Sequence, residues 1–188
     1  MSLQRAGQNR SDNILFFDLE TQHSFQEVGG RHHLDKLLLS VAVTYSPLTG
    51  EFKSYTESQA LYLIEDLFSA DTVIGFNIIA FDYRVLKPYT SKDLTQLQTI
   101  DMLVHIREKL GFRVSLNSLA QGTLKMDKSG DGLQAITWYR EGKMEQLTAY
   151  CRDDVEITKR LYEYGREKGY VLFLDRYSGK KRQITVTW

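Results

Sequence analysis

The sequence predicts an α/β fold in which a mixed β-sheet is flanked by helices and followed by a C-terminal β-hairpin. Three strand-sized apolar segments come first, at residues 14–20, 37–45 and 51–55. Helical patterns follow, and a short buried strand at residues 72–76 lies among them. Early strands followed by helices that enclose one more strand are typical of a mixed sheet covered by helices. Residues 170–174 and 183–188, on either side of Ser178-Gly179, predict the hairpin.

The composition is that of an ordinary soluble protein. Of the 188 residues, 42% are hydrophobic and 26% are charged. These values predict one folded domain at residues 13–188 behind a flexible polar N-terminus at residues 1–12. The longest apolar runs are only as long as strands, so we expect no membrane contact.

Charge and cysteine content narrow the expected environment. Acidic and basic residues number 24 each, so the net charge is zero, which disfavours tight, charge-driven binding to duplex nucleic acid. The single cysteine, Cys151, cannot form an internal disulfide. That suits a reducing compartment, and we expect a cytoplasmic protein.

Caps and breakers mark the helices. Thr56 followed by Gln59 is a capping-box pattern, so a helix is predicted from there through about Phe68. Asn77 begins a second helix-like stretch, which stops near Pro88 because proline cannot continue a helix. Four more helices are predicted at residues 101–110, 116–121, 133–139 and 143–168.

Two carboxylates end the first strand. Asp18 and Glu20 are two residues apart, so alternation directs both to the side of the strand that also carries Ile14 and Phe16. Adjacent carboxylates beside an apolar core repel each other and lose hydration, which is costly unless a positive charge lies between them. The strand contains no lysine or arginine. We therefore expect a metal ion there, with further oxygen ligands from elsewhere in the chain.

Other acidic residues are placed where they could complete such a site. Asp82 follows the strand at residues 72–76, near the carboxyl edge of the sheet, where α/β proteins collect their sites. Taken alone, it is better interpreted as a first-turn residue that complements the helix dipole. Tyr150 and Asp154 are four residues apart on the longest helix and therefore share a face. Taken alone, that stretch is better interpreted as an exposed acidic face with a core tyrosine.

Three short motifs stand out along the chain: Phe17-Asp18-Leu19-Glu20-Thr21, Phe76-Asn77-Ile78 with Phe81-Asp82, and Tyr150-Cys151 with Asp154. Together they resemble the proofreading exonuclease domain of family B DNA polymerases, among the DEDD exonucleases of the ribonuclease H-like superfamily, with the third motif in its tyrosine variant. They come in the family's order, and the resemblance covers roughly residues 14–161. Using Asp153 instead would place Ala149 at the tyrosine's position, so the register favours Asp154. The resemblance implies a ribonuclease H-like fold.

The resemblance also implies a metal-dependent 3′→5′ exonuclease. The implied ligands of two divalent cations are Asp18, Glu20, Asp82 and Asp154. Oxygen ligands suit Mg²⁺ or Mn²⁺. Tyr150 is expected to orient the attacking water by a hydrogen bond. The implied substrate-positioning residues are Thr21, Asn77 and Phe81. Asp101 resembles another position that is often acidic in relatives, and a role as a helix cap explains it equally well.

The implied substrate is a nucleic acid with an accessible 3′ end, from which nucleoside 5′-monophosphates are released. We expect single-stranded DNA, and RNA stays an alternative because the ligand set is indifferent to the sugar. A non-catalytic nucleic-acid-binding or docking module of the same fold is a second alternative. A third is an endonuclease of the same superfamily, which the tyrosine motif disfavours. The chain is too short to include a polymerase, so we expect a free-standing nuclease or a part of a helicase, polymerase or repair assembly.

A basic cluster marks the tip of the predicted hairpin. It comprises Arg176, Lys180, Lys181 and Arg182. Such a cluster is usually a solvated turn, but here it could contact a nucleic-acid backbone. We also expect an aromatic side chain near the site to stack on terminal bases.

Overall fold

The computed structural model of the protein describes residues 13–126, 132–175 and 178–188. The predicted flexible N-terminus at residues 1–12 lies outside the described residues, and so does Arg176 of the basic hairpin tip.

A five-stranded mixed sheet forms the centre of the fold. Its strands are β1 (Ile14–Thr21), β2 (Leu39–Ser46), β3 (Glu51–Thr56), β4 (Thr72–Gly75) and β5 (Thr99–Asp101), in the spatial order β3-β2-β1-β4-β5. β1, β2 and β3 are antiparallel neighbours, whereas β4 runs parallel to β1 and β5 runs parallel to β4. β1 is therefore the middle strand and has a partner on both sides.

Helices cover both faces of this sheet. They are α1 (Ala60–Ser69), α2 (Asp82–Leu86), α3 (Met102–Leu110), α4 (Leu116–Leu119), α5 (Gly132–Arg140) and α6 (Met144–Lys168). The predicted capping box is present: the N–H of Thr56 donates to Oε1 of Gln59 at 3.1 Å, and a single 3₁₀ turn then leads into α1. Within the described residues, no helix has the length and apolar composition needed to cross a membrane.

The two faces of β1 contribute to two separate hydrophobic cores. Phe16 packs with Cys151 and Val155 of α6 in one core, which also contains residues of α3, α4 and α5. Phe17 and Leu19 point to the opposite core, which includes α1 and α2. The strict alternation of a strand thus decides which helices each side chain of β1 meets.

A β-hairpin closes the described chain, as predicted. β6 (Tyr170–Leu174) pairs antiparallel with β7 (Lys181–Thr185), which begins two residues earlier than the sequence pattern suggested. Side chains fasten the hairpin to the segment after α3: Ser118 Oγ donates to the carbonyl oxygen of Leu174 at 2.7 Å, and Lys181 Nζ donates to that of Gly122 at 2.9 Å. The hairpin is therefore held against the body of the fold.

Three of the predicted helices are present, with bounds that differ from those expected. The helix expected from Asn77 begins only at Asp82, because Asn77 has a left-handed φ of 71° and its N–H donates to Oδ1 of Asp101 at 2.8 Å. The helix expected from Asp101 begins at Met102, and Asp101 itself ends β5. The short helix after Ser115 also ends early, at Leu119, and continues as a π-helical turn.

Candidate active site

Asp18 and Glu20 lie on the middle strand and face α6. On the neighbouring strand they pair with Val43 and Val41, both of which belong to the core beneath α6. Directly opposed residues of an antiparallel pair share a face, so the carboxylates continue the row begun by Phe16. Both acids are half-buried. The prediction that the two share one side of the strand is confirmed.

Helix α6 brings a third carboxylate to the same point. One oxygen from each of Asp18, Glu20 and Asp154 lies within 4.8 Å of the others. Asp154 is buried, with 3% of its surface exposed, whereas its neighbour Asp153 is exposed. The register argument that favoured Asp154 therefore agrees with the structure.

Cys151 lies beneath this carboxylate cluster. Its thiol donates to the backbone oxygen of Asp18 at 3.4 Å. Burial raises the pKa of the thiol well above its ordinary value, and the nearby carboxylates raise it further. The thiol therefore stays protonated, so it packs and donates rather than acting as a nucleophile.

Asp82 lies in the same cleft, outside the group of three. It is the first residue of α2 and is 2% exposed, and its Oδ1 accepts from the N–H of Leu19 at 3.2 Å. Burial raises the pKa of Asp82 to about 8; the charge of Asp101 adds to the rise, and the hydrogen bonds from the N–H groups of Leu19 and of Asp82 itself oppose it. A nearby cation would favour the ionised form of this side chain.

All the predicted site residues line one cleft of about 1280 Å³. They are Asp18, Glu20, Thr21, Asn77, Phe81, Asp82, Tyr150 and Asp154. Tyr150 is 2% exposed, and its ring meets that of Trp138 edge to face at 5.7 Å, which fixes its orientation. The cleft is larger than a typical pocket for one small molecule, which suits an extended ligand.

The three residues predicted to position substrate lie around the cluster. Thr21 ends β1, and its hydroxyl donates to the backbone oxygen of His23 at 3.0 Å. Phe81 contacts the ring of Phe25 edge to face at 6.0 Å. Asn77 turns its side-chain oxygen toward Arg113, whose Nη2 donates to it at 3.0 Å.

Asp101 organises the loop that precedes Asp82, a role that the sequence only partly indicated. It caps α3 by accepting from the N–H groups of Leu103 and Val104, as the capping interpretation required. It also accepts from the N–H groups of Asn77 and Ile79, at 2.8 and 3.0 Å. One carboxylate thus holds a helix end and the turn beside the cleft.

Phe25, Arg31, Phe112 and Arg113 also line the cleft, and the sequence analysis did not single them out. They lie on loops that fold back over the carboxyl edge of the sheet, where neither spacing nor periodicity carries a signal. The loop after β1 also reaches α5 through an ion pair between Glu27 and Arg140. This ion pair joins the loop to α5 at the surface of the fold.

The donor set suits a hard divalent cation. Three carboxylates within 4.8 Å of one another repel in the absence of a counter-charge, and carboxylate oxygens are the ligands that Mg²⁺ and Mn²⁺ prefer. The arrangement can therefore hold a divalent metal ion in a large cleft.

Comparison with known proteins places this chain in a family. The structure is similar to that of a family B DNA polymerase from the hyperthermophilic archaeon Pyrobaculum calidifontis, with a TM-score of 0.65 and 15% sequence identity over 86% of this chain. The chain spans only 25% of that polymerase, and the likeness concerns the fold. A search of curated protein sequences found no match. A sequence model of the RNase H superfamily matches residues 15–165, from the first strand through most of α6. The chain therefore belongs to the RNase H superfamily.

Proposed function

We propose that the protein is a metal-dependent 3′→5′ exonuclease that acts on single-stranded DNA and releases nucleoside 5′-monophosphates. The observation that carries the proposal is the convergence of Asp18, Glu20 and Asp154 within 4.8 Å, in a cleft that Asp82 and Tyr150 also line. Membership of the RNase H superfamily supports nuclease chemistry. The order and spacing of the three motifs, which resemble the exonuclease domain of family B DNA polymerases, support the 3′→5′ polarity.

Four carboxylates would hold the metal ions. Asp18, Glu20 and Asp154 supply a cluster of oxygens, and Asp82 lies beside them in the cleft. Two bound divalent cations would stabilise the attacking and leaving oxygens of an in-line displacement at phosphorus. Mg²⁺ and Mn²⁺ fit this all-oxygen set better than zinc, which favours nitrogen and sulfur ligands.

The remaining side chains would bind and orient. Tyr150 would orient the attacking water through its hydroxyl group. Its ring lines the cleft, and the contact with Trp138 holds the ring in place. Thr21, Asn77 and Phe81 would position the terminal nucleotide, because they surround the acidic cluster. Burial keeps the Cys151 thiol neutral, so it supports the backbone of Asp18 without adding a fourth negative charge to the cluster.

The test is digestion of a 5′-labelled single-stranded DNA oligonucleotide in Mg²⁺ or Mn²⁺. We expect stepwise shortening from the 3′ end, which stops in EDTA, and Asp18→Ala is expected to lower the rate by about 100-fold or more because it removes a metal ligand. The matched control is Asp153→Ala, which removes an exposed carboxylate next to Asp154 on the same helix and should digest like the wild type.

Three other outcomes would overturn parts of the proposal. An unchanged rate on an oligonucleotide with a blocked 3′ end would indicate an endonuclease. Faster digestion of the matched RNA would reassign the substrate. Binding without cleavage under either metal would identify a docking module instead of an enzyme.

A further inference from the structure

We propose that Phe112 forms a base-stacking subsite for a nucleotide upstream of the scissile 3′ end, with Phe173 supporting its ring and Arg113 and Arg182 beside it. The inference deepens the proposed function and rests on it, because it assigns a second contact point to the same single-stranded substrate. The subsite lies on the loop after α3 and on the hairpin β6–β7, away from the three sequence motifs.

Phe112 is exposed and yet held in place. Its side chain keeps 45% of its surface accessible at the wall of the cleft, and its ring meets that of Phe173 edge to face at 6.1 Å. Phe173 is buried, so it provides a fixed support. An exposed phenyl ring whose orientation is already restricted loses little freedom when a nucleobase stacks on it.

Two arginines supply the charge that a phosphate backbone requires. The guanidinium of Arg182 lies over the ring of Phe173, 5.5 Å from its centre, and is 3.4 Å from a carboxylate oxygen of Asp175. Arg113 follows Phe112 directly and donates to Asn77, which lines the same cleft as the carboxylates. Proteins that bind single strands without reading their sequence combine aromatic rings, on which bases stack, with arginines that contact the phosphates.

The support under this subsite is rigid. Thr123 accepts from the N–H of Leu172 at 2.8 Å and donates to its carbonyl oxygen at 2.7 Å, and Ser118 and Lys181 add two further bonds to the hairpin. The hairpin therefore presents Phe173 and Arg182 at a set position. A lone exposed phenylalanine is common on protein surfaces, but this one shares a cleft with two arginines and the carboxylate cluster.

The ligand class follows from this arrangement. A base that stacks on Phe112 has to be unpaired and unstacked from its neighbours, so the subsite fits single strands better than duplexes. Phe112 and the carboxylates line one cleft of about 1280 Å³, so we assign them to different nucleotides of the same strand. Substrates long enough to reach both Phe112 and the carboxylates gain affinity from the subsite, and a single nucleotide does not.

The test compares two substrates of different length. One is a single-stranded decanucleotide, and the other is the p-nitrophenyl ester of thymidine 5′-monophosphate, which carries one nucleotide and one cleavable bond. For Phe112→Ala, the ratio of kcat/KM for the decanucleotide to kcat/KM for the ester should fall about 10-fold, mainly through KM. Phe112→Trp should retain the ratio and Phe112→Leu should lose it. Tyr62→Ala, which removes an exposed ring on α1 outside the cleft, should leave both rates as in the wild type.

A direct binding readout separates the two proposals. In EDTA, the fluorescence of Phe112→Trp, corrected for the two native tryptophans with the parent protein, should be quenched by single-stranded DNA as a base stacks on the ring. Quenching without hydrolysis of either substrate would overturn the proposed exonuclease and leave the subsite standing. In an active enzyme, an unchanged length ratio in Phe112→Ala together with no quenching would overturn the subsite. In an inactive protein, the absence of quenching by itself would overturn it.

Discussion

Asp82 illustrates how burial and function compete at a single side chain. The carboxyl group is almost completely buried beside Asp101, yet the proposed metal site needs it ionised. Desolvation disfavours the charged form, and a bound cation would restore it. Without metal, the fold therefore holds Asp82 where ionisation of its carboxyl group is unfavourable. Such a conflict with burial is common for side chains that a functional site requires.

The stability of the metal-free protein should fall as the pH rises, because of Asp82. Its pKa is about 8 in the fold, against an ordinary value of 3.8, so its contribution is fully present below about pH 4 and is lost as the pH rises through 8. In EDTA, we expect the free energy of unfolding of the wild type to fall by more than about 1 kcal/mol between pH 5 and 8. Asp82→Asn should flatten this dependence, since a neutral amide can still accept from the N–H of Leu19. Urea unfolding at several pH values provides the measurement.

Asp153→Asn serves as the matched control for this profile. Its carboxylate is exposed on α6, so its removal should leave the slope with pH as in the wild type. Parallel profiles for Asp82→Asn and the wild type would show that Asp82 does not govern the pH dependence.

At the scale of elements, the strand pattern predicted more than the loop patterns did. Alternation along β1 placed Asp18 and Glu20 on one side, and helical spacing placed Tyr150 and Asp154 on one face of α6; both relations are present in the structure. Regular elements repeat with fixed periods, so a sequence reveals which residues share a face. Periodicity therefore paired Asp18 with Glu20 and Tyr150 with Asp154, whereas the resemblance to a known family was needed to expect the strand and the helix at one site.

The segments that the sequence did not predict depend on distant partners. β5 has only three residues, too few for a periodic pattern, and it forms because it pairs with β4. Asn77 adopts its left-handed conformation where Asp101, 24 residues away, accepts its N–H. Arg113 reaches Asn77 from a loop for which no pattern exists. Tertiary contacts determine the conformations of these segments, and local propensity does not predict such contacts.

Gly122 determines how closely the hairpin approaches the body of the fold. A Cβ at this position would lie 2.5 Å from the backbone oxygen of Leu172 and 2.7 Å from the Cα of Phe173, so β6 would have to move. We expect Gly122→Ala to lower the free energy of unfolding by about 1–3 kcal/mol. Gly132→Ala, where a Cβ would meet nothing within 4 Å, should change it by less than about 1 kcal/mol. Urea unfolding midpoints compare the two, and equal effects would argue against close packing of β6.

At the scale of the whole molecule, the site lies where elements from distant parts of the chain meet. The middle strand provides two carboxylates, the longest helix provides the third, and the loop between β4 and α2 ends at the fourth. The charge of the chain is balanced, so attraction for a nucleic acid has to come from a local arrangement rather than from the overall field. Among the described residues that line the cleft, the basic ones are Arg31, Arg113 and Arg182.

Binding of single-stranded DNA should therefore depend only weakly on salt. Each phosphate neutralised on a single strand contributes about 0.7 to the slope of log K against log salt, so three arginines predict a slope near −2. Fluorescence anisotropy with a labelled decanucleotide in EDTA, which also prevents cleavage, measures this slope.

Arg182→Gln should make the slope shallower by about 0.7. Arg166→Gln, twelve residues beyond Asp154 along α6 and thus about 18 Å away, should leave it unchanged. A wild-type slope steeper than about −4 would require phosphate contacts outside this cleft and would contradict the assignment of the cleft as the main binding surface.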